Sequence, residues 1–146
     1  MPAKEPRPAN HFTLKLGGNE VVGVFREISL GTSETEVIDH KYTDEKGKPS
    51  IRRVPGINKA GNITLKRGID ENLKLWQWRQ EVIDNGPDAA RVDGTIQLLD
   101  YKGSPIATYT FLQGWPIKYD GGTFSATSNE IALEVVEIAH EGLKRM

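Results

Sequence analysis

VPGINKAGNITLKRGIDENLKLWQW, Val54 to Trp78, changes its apolar period midway, and that change organises the whole chain. Within NITLKRG, Asn62–Gly68, Ile63 and Leu65 alternate with Thr64 and Lys66, as in a strand with one buried face. Beyond it the spacing lengthens. Leu75, Trp78 and Val82 recur at helical intervals, and Trp76 and Ile83 widen the stripe. Asp70 carries the side chain of an N-cap, and Glu71 would sit near the positive end of the helix dipole. Asn85-Gly86-Pro87 offers a left-handed C-cap followed by a residue that cannot continue the helix. A helix is therefore expected over Asp70–Asp84, anchored by Leu75, Trp76, Trp78 and Val82 in the core or against another subunit.

Working outward, most of the remaining chain reads as short strands. Phe12, Leu14 and Leu16 alternate with Thr13 and Lys15 and stop at Gly17-Gly18. Val21–Leu30 forms a second strand, with Arg26 interrupting one face and Phe25 on the other. Thr35–Tyr42 forms a third, with Val37 on one side and Ile38 and Tyr42 on the other. Arg91–Asp100 and Pro105–Tyr119 flank a turn at Tyr101–Ser104, and Pro116 marks an edge, a bulge or a strand end. In the last segment Ala132, Val135, Val136, Ala139 and Leu143 fit a helix, whereas Ile131, Leu133 and Val135 fit a strand. The β-branched residues favour the strand. Thr43–Gly61 stands apart as a long basic connection with Gly47, Pro49, Pro55, Gly56 and Gly61, and a loop of that length is usually functional or disordered.

The 146 residues suit one domain, with residues 1–10 as a flexible proline-rich arm and 11–146 as the folded unit. Fifteen glycines and eight prolines agree with many turns, and a hydrophobic share of 37% is low for a self-sufficient globule. The chain has no cysteine, so disulfides, thiolate metal sites and cysteine nucleophiles are excluded. The N-terminus lacks the apolar stretch of a signal peptide, and no run approaches the ~18 apolar residues of a membrane span. Synthesis in the cytoplasm without membrane insertion is the expectation.

A net charge of -1 argues against a protein devoted to nucleic acid. The charge is unevenly spread. Residues 41–67 hold eight basic and two acidic side chains, and residues 68–146 hold seven basic and twelve acidic. The basic run Lys46, Lys48, Arg52, Arg53 and Lys59 has no interleaved aromatics. Two readings remain for it: a solvated loop, or an electrostatic contact with the acidic part of another copy.

No residue set supports catalysis or cofactor binding. His11, His40 and His140 lie in unrelated segments, and His140-Glu141 lacks the second histidine of a zinc-peptidase helix because Lys occupies position 144. There is no phosphate-binding glycine loop. Acidic pairs such as Glu34/Glu36 and Glu134/Glu137 are ordinary solvated faces at this frequency of carboxylates. Catalytic, metal and cofactor residues are thus expected to be none. A monomeric β-sandwich that binds sugar or peptide would need exposed aromatics. Helical spacing makes Trp76 and Trp78 contact anchors before stacking platforms, and Trp115 reads as a buried strand-end residue.

Three blocks in order, Val54–Trp78, LQGWPIKYDGG at Leu112–Gly122 and EIALEVVEIAHEGLKR at Glu130–Arg145, resemble the tail-tube proteins of contractile phages and of the injection systems derived from them. The resemblance runs from about Phe12 to Arg145. It implies a mainly β fold, a β-sandwich or distorted barrel with one flanking helix, similar to the haemolysin-coregulated protein of type VI secretion. It further implies six copies in a ring, and rings stacked into a tube that a contracting sheath drives into a target. The partners it implies are other copies, sheath, baseplate or spike, tube terminator, and protein cargo, or DNA in a phage. Carried onto this chain, it places the helix Asp70–Asp84 on the outside of the ring. Thr43–Gly61, with Lys46, Lys48, Arg52, Arg53 and Lys59, would reach the neighbouring ring.

Overall fold

A computed structural model describes residues 11–18, 21–69, 71–122, 125–126 and 132–146. The arm expected over residues 1–10, the cap expected at Asp70, and Ile131 lie outside them. In chain order the elements are β1 (His11–Leu16), β2 (Val21–Phe25), β3 (Glu27–Ser29), β4 (Ser33–Thr43), β5 (Pro49–Ala60), β6 (Ile63–Gly68), α1 (Lys74–Asn85), α2 (Pro87–Ala90), β7 (Val92–Leu99), β8 (Pro105–Asp120), β9 (Leu133–Ala139) and β10 (Gly142–Arg145).

Eight strands form the body in the order β2-β1-β7-β8-β9-β6-β3, with β10 added beside β8, and every pairing is antiparallel. The two ends of this path, β2 and β3, are consecutive in the chain. What reads as one strand over Val21–Leu30 breaks at Arg26, whose N–H donates to the Lys66 carbonyl at 3.0 Å. That single residue switches the chain from β1 to β6 and bends the sheet round on itself. The result is a distorted barrel whose ladder is not closed.

Alternation places Leu14, Phe25, Ile63, Leu65, Ile96, Phe111, Val136 and Ile138 inside. Each such side chain contributes about 1.5–3 kcal/mol when fully buried. Helix α1 closes the core with Leu75 and Trp78, and the Trp78 indole N–H donates to the Ala90 carbonyl at 2.8 Å. Its first turn is held by Asn72, whose Oδ1 accepts the Lys74 N–H at 2.9 Å. Helix α2 begins on Pro87, where a missing N–H costs nothing.

Strand β8 belongs to both halves of the barrel. Residues 105–114 pair with β7 and residues 115–120 with β9. Just before the changeover Gln113 takes φ 51°, and its N–H donates to Asp93 Oδ1 at 3.0 Å. The ladder slips between Pro116 and Lys118, so Pro116 marks a bulge within a long strand. Trp115 is half-buried inside that strand, not at its end.

Three further elements differ from the sequence reading. The helix expected over Asp70–Asp84 runs over Lys74–Asn85, its start set by the Asn72 side chain that accepts the Lys74 N–H. Thr43–Gly61 is not a loop: Pro49–Ala60 is a twelve-residue strand paired with β4. The terminal segment is a strand, but its inward side chains are Glu134, Val136 and Ile138, while Leu133 faces out. A carboxylate can occupy the inner face because Glu134 stands opposite Arg67 on β6 and forms an ion pair with it.

Candidate functional site

The feature that most needs an explanation is the ribbon β4–β5. It is a separate two-stranded sheet that pairs with no other described strand. Its ladder, from Ser33↔Ala60 to Thr43↔Pro49, extends roughly 35 Å at the rise of a β-strand. Every residue of β4 is exposed. An isolated hairpin is marginal in water, and this one leaves Val37, Ile38, Tyr42, Ile51 and Ile57 in solvent, with Ile57 69% exposed. Pairing register assigns Ile38, Tyr42 and Val54 to one face and Val37, Ile51 and Pro55 to the other. Both faces therefore carry apolar side chains, and both outer edges present unsatisfied ladder groups. Such a ribbon is a contact element.

The turn that makes the ribbon is Asp44-Glu45-Lys46-Gly47-Lys48. The Asp44 carboxylate accepts the N–H groups of Lys46 and Lys48 at 2.9 and 2.8 Å, and Gly47 takes φ 75°. The β7–β8 turn repeats this construction: Asp100 accepts from Lys102 and Ser104 at 2.9 and 3.0 Å, with Gly103 at φ 81°. The shared pattern, DEKGK and DYKGS, was the available signal that Thr43–Gly61 folds back as a hairpin.

The basic residues are spread along this ribbon. Lys46 and Lys48 lie in the tip turn, Arg52 opposes His40, and Arg53 opposes Asp39. Arg53 Nε lies 3.6 Å from the Asp39 carboxylate, an exposed pair within one subunit worth at most about 1 kcal/mol. Lys59 lies at the root, opposite Glu34. Lys46, Lys48 and Arg52 thus form one basic end, whereas Arg53 and Lys59 face carboxylates of their own subunit.

Of the four helix positions, Leu75 and Trp78 are buried and Val82 packs against the core. Trp76 differs, being 52% exposed, with its ring edge-on to Tyr119 at 5.2 Å between centroids. Together with Leu73 and Ile83 it forms an exposed apolar stripe on the outer face of α1. His140 Nε2 lies 3.0 Å from the Gly61 carbonyl, and His40 is exposed and stacks on Tyr42. Among the described residues no group of three or more His, Asp or Glu could hold a metal ion, and no helix is long and apolar enough to cross a membrane.

Sequence reasoning missed a buried polar cluster. Arg67 is 2% and Glu134 4% exposed; Arg67 Nε pairs with Glu134 Oε1, its Nη2 donates to the Asn72 carbonyl at 2.9 Å, and the Tyr119 hydroxyl donates to Glu134 Oε2. Arg67 continues the inward alternation of Ile63 and Leu65, which was the available signal. Burial, then the hydrogen bond to Glu134 and that carboxylate's charge, push the Tyr119 phenol up to about 12, with Arg67 pulling the other way. Since this exceeds the free phenol value of 10.0, the neutral form is favoured by folding. The associated stability is complete below pH ~10 and disappears as pH rises through ~10 to ~12. Thermal midpoints across that interval should fall more steeply for wild type than for Tyr119→Phe. Parallel slopes would show that the phenol does not make this contact.

A barrel that extends an unpartnered ribbon, apolar on both faces and basic at its tip, is an assembly subunit. The chain belongs to the T4-like virus tail tube protein gp19 family, which it matches over residues 8–144. Its fold is shared with a chain of the sheath-tube complex of an extracellular contractile injection system (PVC) in its extended state. There the TM-score is 0.78 at 24% identity, covering 97% of this chain and 91% of that one. A chain of the 6-fold symmetrised anti-feeding prophage baseplate gives a TM-score of 0.76 at 19% identity, covering 99% and 97%. Hcp1 from Flavobacterium johnsoniae gives 0.55 at 15% identity, covering 93% and 94%. No curated protein matches the chain by sequence.

Proposed function

We propose that this chain is the inner-tube subunit of a contractile injection particle, with six copies to a ring and rings stacked into a chemically passive channel. The observation that carries the reading is the ribbon β4–β5, because only neighbouring protein can cover apolar side chains on both of its faces. Six-fold order is supported by the fold shared with the 6-fold symmetrised baseplate chain, and a surrounding sheath by the fold shared with the sheath-tube complex. Baseplate or spike, tube terminator and luminal protein cargo complete the expected partners. Family membership also accommodates a phage tail tube conducting DNA. The injection particle is preferred because the fold matches chains of such particles over nearly their full length.

Electron microscopy of the purified chain, with a baseplate template where needed to nucleate growth, should show six-fold rings and tubes. Rings of another order would overturn the reading. Lys48→Glu with Arg52→Glu should leave rings intact and stop tube growth, and raised salt should weaken stacking in wild type. Arg53 is left alone because a glutamate there would repel Asp39 within its own hairpin. Exposed pairs give only ~0–1 kcal/mol each, but six-fold repetition at every interface multiplies them. Tubes of normal length from this variant would show that the basic end carries no stacking contact.

A further inference from the structure

Strands β1, β7, β8 and β10 turn Leu14, Ile96, Phe111 and Leu143 toward the core. On their other face the register aligns Lys15, Thr95, Thr110 and Lys144 in one row across all four strands. Thr13, Gln97 and Thr108 form the next row. We infer that this threonine face lines the channel, and that its two lysines select an acidic protein as the cargo. The inference rests on the tube reading and adds which surface meets the contents and what charge they carry.

Placement comes first. Leu75 and Trp78 of α1 share one core with Ile96 and Phe111, so α1 packs on the inner side of this sheet and the threonine face looks away from it. The two surfaces are chemically unlike. Leu73, Trp76 and Ile83 are exposed on α1, which suits a lasting contact with other protein. The centre of the threonine face offers hydroxyls and an amide, and its large apolar side chains, Leu99, Ile106 and Leu112, lie near the strand ends. Groups that water already satisfies give a passing chain little to gain by binding. A wall that contents slide along needs that property.

Charge comes second. Residues 11–16, 92–99, 105–114 and 142–145 contain one carboxylate, Asp93, and it accepts the Gln113 N–H. Lys15 and Lys144 form no ion pair with a described carboxylate. Three strand spacings, about 14 Å, separate them. Arg145 belongs to the inner face, with its guanidinium over the Tyr109 ring at 5.9 Å. Long flexible stems carry the two ammonium groups above the short threonines. Repeated round each ring and along the stack, two lysines per copy make a positive lining with neutral ground between.

Such a lining concentrates anions and repels cations. Hydrated, singly placed lysines hold an acidic protein weakly, and salt screens the attraction. Double-stranded DNA is held differently. With a charge about every 1.7 Å it releases counterions at each phosphate neutralised, so its grip grows with every ring and opposes exit. An acidic protein is the anion that this wall can both load and release.

The absence of native cysteine lets Thr95→Cys report where the face lies. In assembled tubes it should react with a small maleimide and not with a polyethylene-glycol maleimide too large for the channel, whereas Trp76→Cys should react with both. Thr95→Cys labelled by both reagents would put the face outside, and labelling by neither would put it in a subunit contact; either overturns the inference. Tubes assembled with fluorescent oligoglutamate, oligolysine or a DNA duplex, then washed, measure selection. Oligoglutamate should be retained roughly tenfold over oligolysine at low salt and released as salt rises. Lys15→Gln with Lys144→Gln should remove that preference, and Lys15→Arg with Lys144→Arg should keep it. Each single glutamine change should lower retention partway, which keeps the test in force where the double variant does not assemble. Equal retention of the two peptides, or a preference that survives the glutamine changes, would overturn the charge assignment. A duplex that is released at the same salt as oligoglutamate would favour a DNA conduit and overturn the choice of protein. A wild-type chain forming no tubes would overturn the tube reading and this inference with it.

Discussion

Gly94→Val is expected to leave almost no folded subunit. Gly94 on β7 stands directly opposite Phe111 on β8, and the fully buried Phe111 ring lies over it. A Cβ at Gly94 would sit 2.1 Å from Phe111 Cζ, and one at Gly114 would sit 2.3 Å from Phe111 Cε2. The ring is wedged between two positions without side chains and has no exposed direction in which to retreat. Displacing it forfeits about the 3–5 kcal/mol that truncation of a buried phenylalanine costs. Two added methyl groups bring overpacking as well, of about 1–3 kcal/mol. Against a domain stability of ~5–15 kcal/mol, that total removes most or all of the margin. Urea unfolding should show Gly94→Ala as severely destabilised, and Gly94→Val as insoluble or without a cooperative transition. Gly94→Ala combined with Phe111→Leu should recover part of the loss. A Gly94→Ala urea midpoint indistinguishable from that of wild type would mean that the ring is not held there.

The second large effect belongs to the buried pair. Arg67→Met should cost about 3–5 kcal/mol, because it leaves the Glu134 carboxylate inside the barrel without its cation. The penalty comes from the orphaned charge more than from a lost attraction. The double variant Arg67→Met with Glu134→Gln should therefore be more stable than the sum of the single changes, since the amide oxygen still accepts the Tyr119 hydroxyl and no charge is stranded. A double-mutant cycle by urea denaturation measures the coupling. Strict additivity would show that Arg67 and Glu134 do not act as a pair. The cluster also joins β6, β8 and β9, so its loss should loosen the half of the barrel nearest α1.

The placement of the basic residues decides which of them can act between subunits. Arg53 is adjacent to the larger run in sequence, yet in the ladder it faces Asp39, while Arg52 faces His40 on the opposite side of the ribbon. Adjacent residues in a strand point to opposite faces. A charge run in sequence is therefore not a charge patch in space. The rise of the extended strand separates Lys46 and Lys48 at the tip from Lys59 at the root by nearly the full length of the ribbon.

Much of the architecture was determined by local pattern. The alternation in NITLKRG, the helical spacing of Leu75, Trp78 and Val82, the turn DYKGS and the proline at 116 each act through contacts within a few residues, and the sequence displays such contacts directly. The ordered blocks that resemble tail-tube proteins carried the function class for the same reason, since they describe a succession of elements. Tertiary structure decided the rest. Thr43–Gly61 became a ribbon because β4 supplies partners along β5 on both sides of a bulge at Gly56 and Ile57, a pairing that composition rich in Gly and Pro hides. Val21–Leu30 broke at Arg26 because the barrel needs one segment to serve two neighbours. Glu134 turned inward and Leu133 outward because an arginine 67 residues away waited across the ladder. Trp76, apolar and at a helical position, remained half in solvent because the core was already filled by Leu75 and Trp78. Which side of an element is buried depends on what lies opposite, and that is a property of the assembled sheet.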